Sequence, residues 1–255
     1  MNSAAISSIV FVFLAVGALL GVFVRSILSE HHLNSESKDV VKLSIGLIAT
    51  MSALVLGLLI ATAKTSFDAK ATQVRQIAAN VVLLDQVFAQ YGEETTNVRR
   101  ELRRSLDLMV DRVWSENKNK SGSRNSGPFQ ATGAAESFMQ DIFKISAPTD
   151  FQRALKTEIL QLANDIAKDR LSLYVQSGDT VSMPFLTILV FWLTVIFAVF
   201  GLLSRPNMLV GLILLLCALS VSGSIFLILD LNSPFDGVMR IPSAQLRNAL
   251  SPLNP

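Results

Sequence analysis

The sequence holds a single cysteine, two histidines and few charges for its length, and each scarcity removes a class of function. Cys217 has no second thiol to pair with, and its apolar surroundings make it a small packing residue rather than a reactive one. The histidines are adjacent, His31-His32, with Glu30, Glu36 and Asp39 nearby in sequence. Neighbouring imidazoles on a short connection are poor evidence for a coordination shell, so a wet loop is expected and no metal. Phosphate-binding glycine loops, nucleophile elbows, paired-cysteine sites and HExxH helices are all missing, so neither an enzyme nor a cofactor is expected. Only 16% of the 255 residues are charged, and 22 basic against 20 acidic side chains leave a net +2. Such a balance supplies no surplus to hold a polyanion, and nucleic acid is not an expected partner.

What the chain has in quantity is apolar length. Its mean hydropathy is +0.47, above the range of an ordinary soluble domain. Crossing a hydrocarbon layer about 30 Å thick takes about 20 apolar helical residues. Four stretches qualify: about Ala4 to Val24, Leu43 to Ala63, Met183 to Leu203 and Met208 to Leu229. None carries a charge inside. Pro184 suits the first turn of the third, and Ser204-Arg205-Pro206-Asn207 makes a tight turn into the fourth. The first 24 residues lack a basic leading segment and run longer than a signal core, so a retained helix is expected rather than a cleaved leader.

Four crossings put the N-terminus, the 64–182 region and the C-terminus on one side. Near the membrane that side carries Lys64, Lys70, Arg75, Lys168, Arg170, Arg240 and Arg247, against Arg25, Lys38, Lys42 and Arg205 opposite. Basic residues favour the cytoplasmic face, so both termini and the central region are expected there. The expected organisation is 1–63 for spans one and two, 64–182 for a cytoplasmic helical domain with a mobile loop at 115–133, 183–229 for spans three and four, and 230–255 for a C-terminal tail.

The central region reads as helices throughout. Val74, Ile77, Val81, Leu84 and Phe88 form one stripe on a helix that continues out of the second span, and Tyr91-Gly92 breaks it. A second helix carries Leu102, Leu106, Met109 and Val113 on one face, with Arg99, Arg100, Arg103 and Arg104 among Glu101, Asp107 and Asp111 on the others. Those charges read as a solvated face. After a Ser-, Asn-, Lys- and Gly-rich stretch, helix resumes at Ala134 and breaks at Ala147-Pro148. Thr149 or Asp150 then caps a long helix striped by Phe151, Leu155, Ile159, Leu162, Ile166 and Leu173, with Asp169 interrupting. These stripes need partner helices from this subunit or a neighbour. Under a channel reading, the Val74 and Leu155 stripes build a vestibule.

The second span divides its surface. Gly46, Ala49, Thr50, Ala53, Gly57 and Ala61 share one face, small enough for another backbone to approach. Leu47, Met51, Leu54, Val55, Leu58 and Thr62 fall opposite. The small face packs either within the subunit or between subunits. In the second case the bulky face lines a central pore, with Met51, Val55, Leu58 and Thr62 as pore-lining candidates and Gly46, Ala49, Ala53 and Gly57 as the helix-packing set.

Several local sequences resemble a bacterial bestrophin-like family of membrane proteins. The runs are Ala53-Leu54-Val55-Leu56-Gly57-Leu58-Leu59, Ala63-Lys64-Thr65-Ser66-Phe67-Asp68, Leu83-Leu84-Asp85-Gln86-Val87, Val190-Phe191-Trp192, Cys217-Ala218-Leu219-Ser220-Val221-Ser222 and Leu229-Asp230-Leu231-Asn232-Ser233-Pro234-Phe235-Asp236-Gly237. The more distant resemblance to true bestrophins implies an all-α membrane protein with four transmembrane helices and long helices extending into a cytoplasmic helical domain. It also implies a pentamer whose second span lines the pore. Pro234-Phe235 matches the segment that follows the last span in those channels, with Asp236 inserted before Gly237. Calcium-gated bestrophins continue into an acidic run that supplies oxygen ligands, whereas this chain continues Val238-Met239-Arg240, so calcium gating is not expected. Asn232, Pro234, Phe235 and Asp236 read as a turn ending the fourth helix.

Two functions follow as expectations. The first is a homo-oligomeric channel passing small inorganic ions across a bacterial inner membrane. No Asp, Glu, Lys, Arg or His lies deep in the spans, which argues against proton-coupled transport but leaves an apolar pore open. The second is a non-conducting scaffold or sensor that binds a cytosolic partner through the face around Arg99 to Arg104.

Overall fold

The computed structural model describes residues 3–27, 35–114, 133–176, 183–204 and 207–251. Among the described residues there is no strand, and the helices are α1 (Ser3–Ile27), α2 (Ser35–Tyr91), α3 (Thr96–Trp114), α4 (Gly133–Lys144), α5 (Asp150–Val175), α6 (Met183–Leu203), α7 (Met208–Leu231) and α8 (Ala244–Leu250). The expected loop at 115–133, except for Gly133, which begins α4, lies outside them, as do His31-His32 with Glu30 and the Arg205-Pro206 turn. Four helices among the described residues are long and apolar enough to cross a membrane: α1, α6, α7 and, by its first half, α2. The chain forms two compact units, Met1–Phe67 with Asp179–Ser233, and Asp68–Gly178 with Pro234–Pro255.

The first unit is built on α1, which packs most extensively against α6 and next against α7. Val10, Leu14, Leu189, Phe197, Ala218 and Ile225 form its dry centre. Lipid tails are as apolar as leucine, so this contact depends on close approach rather than on escape from water. Glycines provide it. A Cβ on Gly21 would meet the Ala198 carbonyl oxygen at 1.8 Å, one on Gly201 the Ala18 carbonyl oxygen at 2.2 Å, and one on Gly17 the Thr194 methyl at 2.9 Å.

The end of α6 and the start of α7 are capped by nearby side chains. Arg25 Nη1 donates to the carbonyls of Leu202 at 3.3 Å and Leu203 at 3.1 Å, closing the C-terminal end of α6. Asn207 caps α7, its side-chain oxygen accepting from the Leu209 amide at 3.3 Å. Ser222 Oγ donates to the Ser7 carbonyl at 2.7 Å, a buried bond between α7 and α1.

In the second unit, the second half of α2 buries the stripe Val74, Ile77, Val81, Leu84 and Phe88 completely or nearly so. Gly92 ends the helix at φ 113, a left-handed conformation that suits glycine, and a short 3-10 turn at Glu93–Thr95 leads into α3. Thr95 Oγ1 lies 2.8 Å from the Gly92 carbonyl and 3.0 Å from that of Phe88, fixing the reversal. On α3, Leu102, Leu106, Met109 and Val113 are buried.

Thr149 caps α5 in a full capping box with Gln152. The buried face of α5 is Leu155, Ile159, Ala163, Ile166 and Leu173. Phe151, expected on that stripe, is 63% exposed because it precedes the first turn that packs. Lys156 Nζ donates to the carbonyls of Phe143 and Ile145, joining α5 to the end of α4. The Val74 and Leu155 stripes therefore lie within the core of a single chain. Their helices can border a vestibule only with their other faces. Residues after Ser233 cluster with this unit, and their helix α8 packs on α3.

Candidate functional site

At about 100° per residue the membrane part of α2 has three sectors. One is covered within the chain: Ile45, Ser52 and Ala63 are buried, and Leu56 and Leu59 pack against the core formed by α1, α6 and α7. The other two are exposed. Gly46, Thr50, Ala53, Gly57 and Ala61 lie along one, and a Cβ on Gly46 or Gly57 would meet nothing within 4 Å. Ala49 is half-buried at its edge. Leu47, Met51, Leu54, Leu58 and Thr62 lie along the other, Met51 54% and Leu58 60% exposed. Val55 sits at the border with the packed sector and is half-buried against the core. About half the circumference of this helix is thus left uncovered by the described residues of its own chain.

The exposed hydroxyls on this surface are spent locally: Thr50 Oγ1 donates to the Gly46 carbonyl at 2.8 Å and Thr62 Oγ1 to the Leu58 carbonyl at 3.0 Å. The surface presents hydrocarbon and small side chains, without a fixed charge. Lys64, just past the span, lies 5.6 Å from the Phe67 ring centroid, within cation–π range.

The segment after α7 is a closed loop. Asn232 is the C-cap, the Ser233 amide donates to Asp230 O at 3.0 Å, and the Ile241 amide returns to the Pro234 carbonyl at 2.8 Å. Phe235 meets Trp114 edge to face, with ring centroids 5.2 Å apart and planes at 84°. Trp114 Nε1 donates to the Ile241 carbonyl at 2.7 Å. Among the described residues no three potential metal ligands cluster anywhere, this loop included.

The arginine-rich face of α3 is compensated. Arg99 reaches Asp85 of α2 by Nε at 2.8 Å and Nη2 at 2.5 Å, Asp85 itself being buried. Arg103 lies 3.6 Å from Asp107 and Arg104 3.8 Å from Glu101, while Arg100 bonds Asn97.

On α5, burial pushes the Asp169 carboxyl above its usual range, neighbouring Asp165 pushes the same way, and Lys168 opposes both. A carboxyl whose folded value exceeds its unfolded value of 3.8 holds its proton more tightly when folded. Its destabilising effect is present at neutral pH, relieved as pH falls through the folded value, and gone below 3.8. Asp169→Asn should therefore raise the thermal midpoint of the helical domain at neutral pH, with the gain shrinking as pH falls. Melting curves of the detergent-solubilised protein across that range would show it, and a gain independent of pH would contradict it.

Sequence reasoning missed the Trp114 contacts and three further features. The glycine contacts of α1 with α6 were signalled by Gly17 and Gly21, four residues apart, and by Gly201 opposite. An apolar groove of about 560 Å³ between the same helices, lined in part by Ile6, Ile9, Phe13, Met183 and Phe191, had no distinguishing pattern. Cys217, expected to pack, is exposed because the buried face of α7 runs through Ala218, Ser222 and Ile225.

No curated protein matches the chain. A solved structure, the crystal structure of a bacterial bestrophin homolog from Klebsiella pneumoniae carrying the mutation I180T, is similar in fold with a TM-score of 0.59 at 13% identity, each chain being covered over 96% of its length. The family model of the bestrophin-like domain matches residues 11–246. That match covers the first span from residue 11, the other three spans and the helices between them, and the chain belongs to the bestrophin-like family.

Proposed function

We propose that the chain is a homo-oligomeric, passive ion channel of a bacterial inner membrane, five copies by its likeness to bestrophins, with the second span of each copy lining the axis. The observation that carries this reading is the uncovered half of α2. A helix otherwise packed in the first unit leaves a small-residue sector and an adjoining bulky apolar sector exposed. Packing the Gly46, Ala49, Ala53 and Gly57 sector against a neighbouring copy turns Met51, Leu58 and Thr62 toward a common axis. Val55 then supports the pore wall from behind. The distribution of basic residues supports a cytoplasmic side for both termini and the helical domain.

The competing scaffold reading relies on the α3 arginines, which already have partners on their own helix or on α2. The deciding experiment reconstitutes the purified protein in liposomes and measures dissipation of a salt gradient, with native mass establishing the assembly. A closed oligomer that dissipates the gradient supports the channel. Correctly assembled oligomers that stay tight across ions, voltage and pH refute it.

A further inference from the structure

The chain leaving the fourth span is captured almost at once. Beyond Ser233 the loop closes on itself through the Pro234 carbonyl and the Ile241 amide, and a single side chain, Trp114 at the end of α3, holds both arms of that closure. Its ring takes the edge-to-face contact with Phe235 on the outgoing arm, and its indole N–H bonds the Ile241 carbonyl on the returning arm. A few residues on, α8 buries Leu246, Ala249 and Leu250, and Arg247 lies 3.6 Å from Asp111 of α3, a largely exposed pair. An indole is well suited to the double role, because its apolar body packs while its one polar atom must find an acceptor when covered.

We propose that Trp114 is a latch which ties the chain emerging from the fourth span to the helical domain, so that the order of the Leu231 end of α7 depends on it. The link follows the chain itself: Asn232, Ser233 and Pro234 separate α7 from Phe235, the first residue that touches Trp114. The Asn232 and Ser233 amides bond back to the last turn of α7, to Ile228 and Asp230 respectively, leaving little slack. A released latch frees the chain after Ser233 and removes one support of the last turn of α7, the other being the burial of Ile228 and Leu231 beside Ala63. The exposed Asp111–Arg247 pair adds little, as surface pairs generally do. The inference does not depend on conduction and stands or falls separately from the channel reading.

Hydrogen–deuterium exchange on the full-length protein in detergent, read on peptides covering 224–233 and 234–251, tests it. Trp114→Ala should speed exchange in both segments about tenfold or more, the scale set by losing an aromatic pair together with a hydrogen bond. Trp114→Phe, which keeps a ring but no donor, should fall between Trp114→Ala and the native protein. Phe235→Leu leaves the indole bond in place and should loosen 234–241 more than 242–251. Arg247→Ala should change either segment less than about twofold. Unchanged exchange at 224–233 in both Trp114→Ala and Phe235→Leu overturns the latch. So does acceleration spread evenly over α3, α4 and α5, which would make Trp114 an ordinary core residue.

Discussion

Replacing Gly21 by alanine is expected to cut the yield of folded protein sharply and to lower its thermal midpoint, although the change adds one methyl group. That methyl would stand 1.8 Å from the Ala198 carbonyl oxygen, with backbone atoms of Ala198 and Leu202 close behind, so no side chain can rotate away to admit it. The two helices must separate, and separation also strains the reciprocal contact in which Gly201 lies against the Ala18 carbonyl. Overpacking a tight core costs about 1–3 kcal/mol and occasionally more. The upper end applies here, because close approach is the main attraction between helices in lipid. Gly21→Leu should give no folded protein. Gly57→Ala is the matched control: the same change on a membrane helix, at a place where one chain puts nothing within 4 Å. It should leave the fold of the single chain intact and weaken assembly only if the small sector of α2 packs against another copy. Native mass and melting curves of Gly21→Ala and Gly57→Ala together separate the two kinds of contact, and a Gly21→Ala protein as stable as the native one would contradict the α1–α6 geometry.

What the sequence disclosed follows from which forces have a readable period. Span length is set by bilayer thickness, so α6 begins at Met183 and ends at Leu203, as its composition indicates. The Val74 to Phe88 stripe was equally legible, because that half of α2 is amphipathic and water enforces the separation. Inside the membrane this signal disappears. Ile45 and Leu47 are both apolar, yet one is buried and the other 64% exposed, and no hydropathy argument tells them apart. For the same reason the packed sector of α2, through Ser52, Leu59 and Ala63, lies on neither of the two faces that its residue sizes define. The Gly21 contact left a trace in the Gly17–Gly21 spacing, but Gly46 and Gly57 leave a similar trace with nothing against them. The Trp114 contacts left none, since Ile241 is 127 residues away and an indole at a helix end fits many environments.

Leu58→Ala is expected to raise ion flux through reconstituted oligomers, and Met51→Ala to raise it less, if the bulky sector of α2 surrounds the axis. Leu58 sits one and a half turns before the end of the span at Ala63, with its side chain unpartnered by its own helix bundle. Copies arranged about an axis bring these isobutyl groups into a ring with no oxygen to replace the water around an ion, and such a ring resists wetting. Shortening each side chain widens the ring in every subunit at once. An increase of about tenfold corresponds to about 1.4 kcal/mol taken from the barrier. Val55→Ala separates this cause from general loosening, because Val55 packs against the α1, α6 and α7 core and its truncation should cost stability with little gain in flux. Flux that rises equally in Leu58→Ala and Val55→Ala indicates a disordered assembly. Flux that ignores Leu58 and Met51 altogether puts the bulky sector against lipid and requires another lining for any pore.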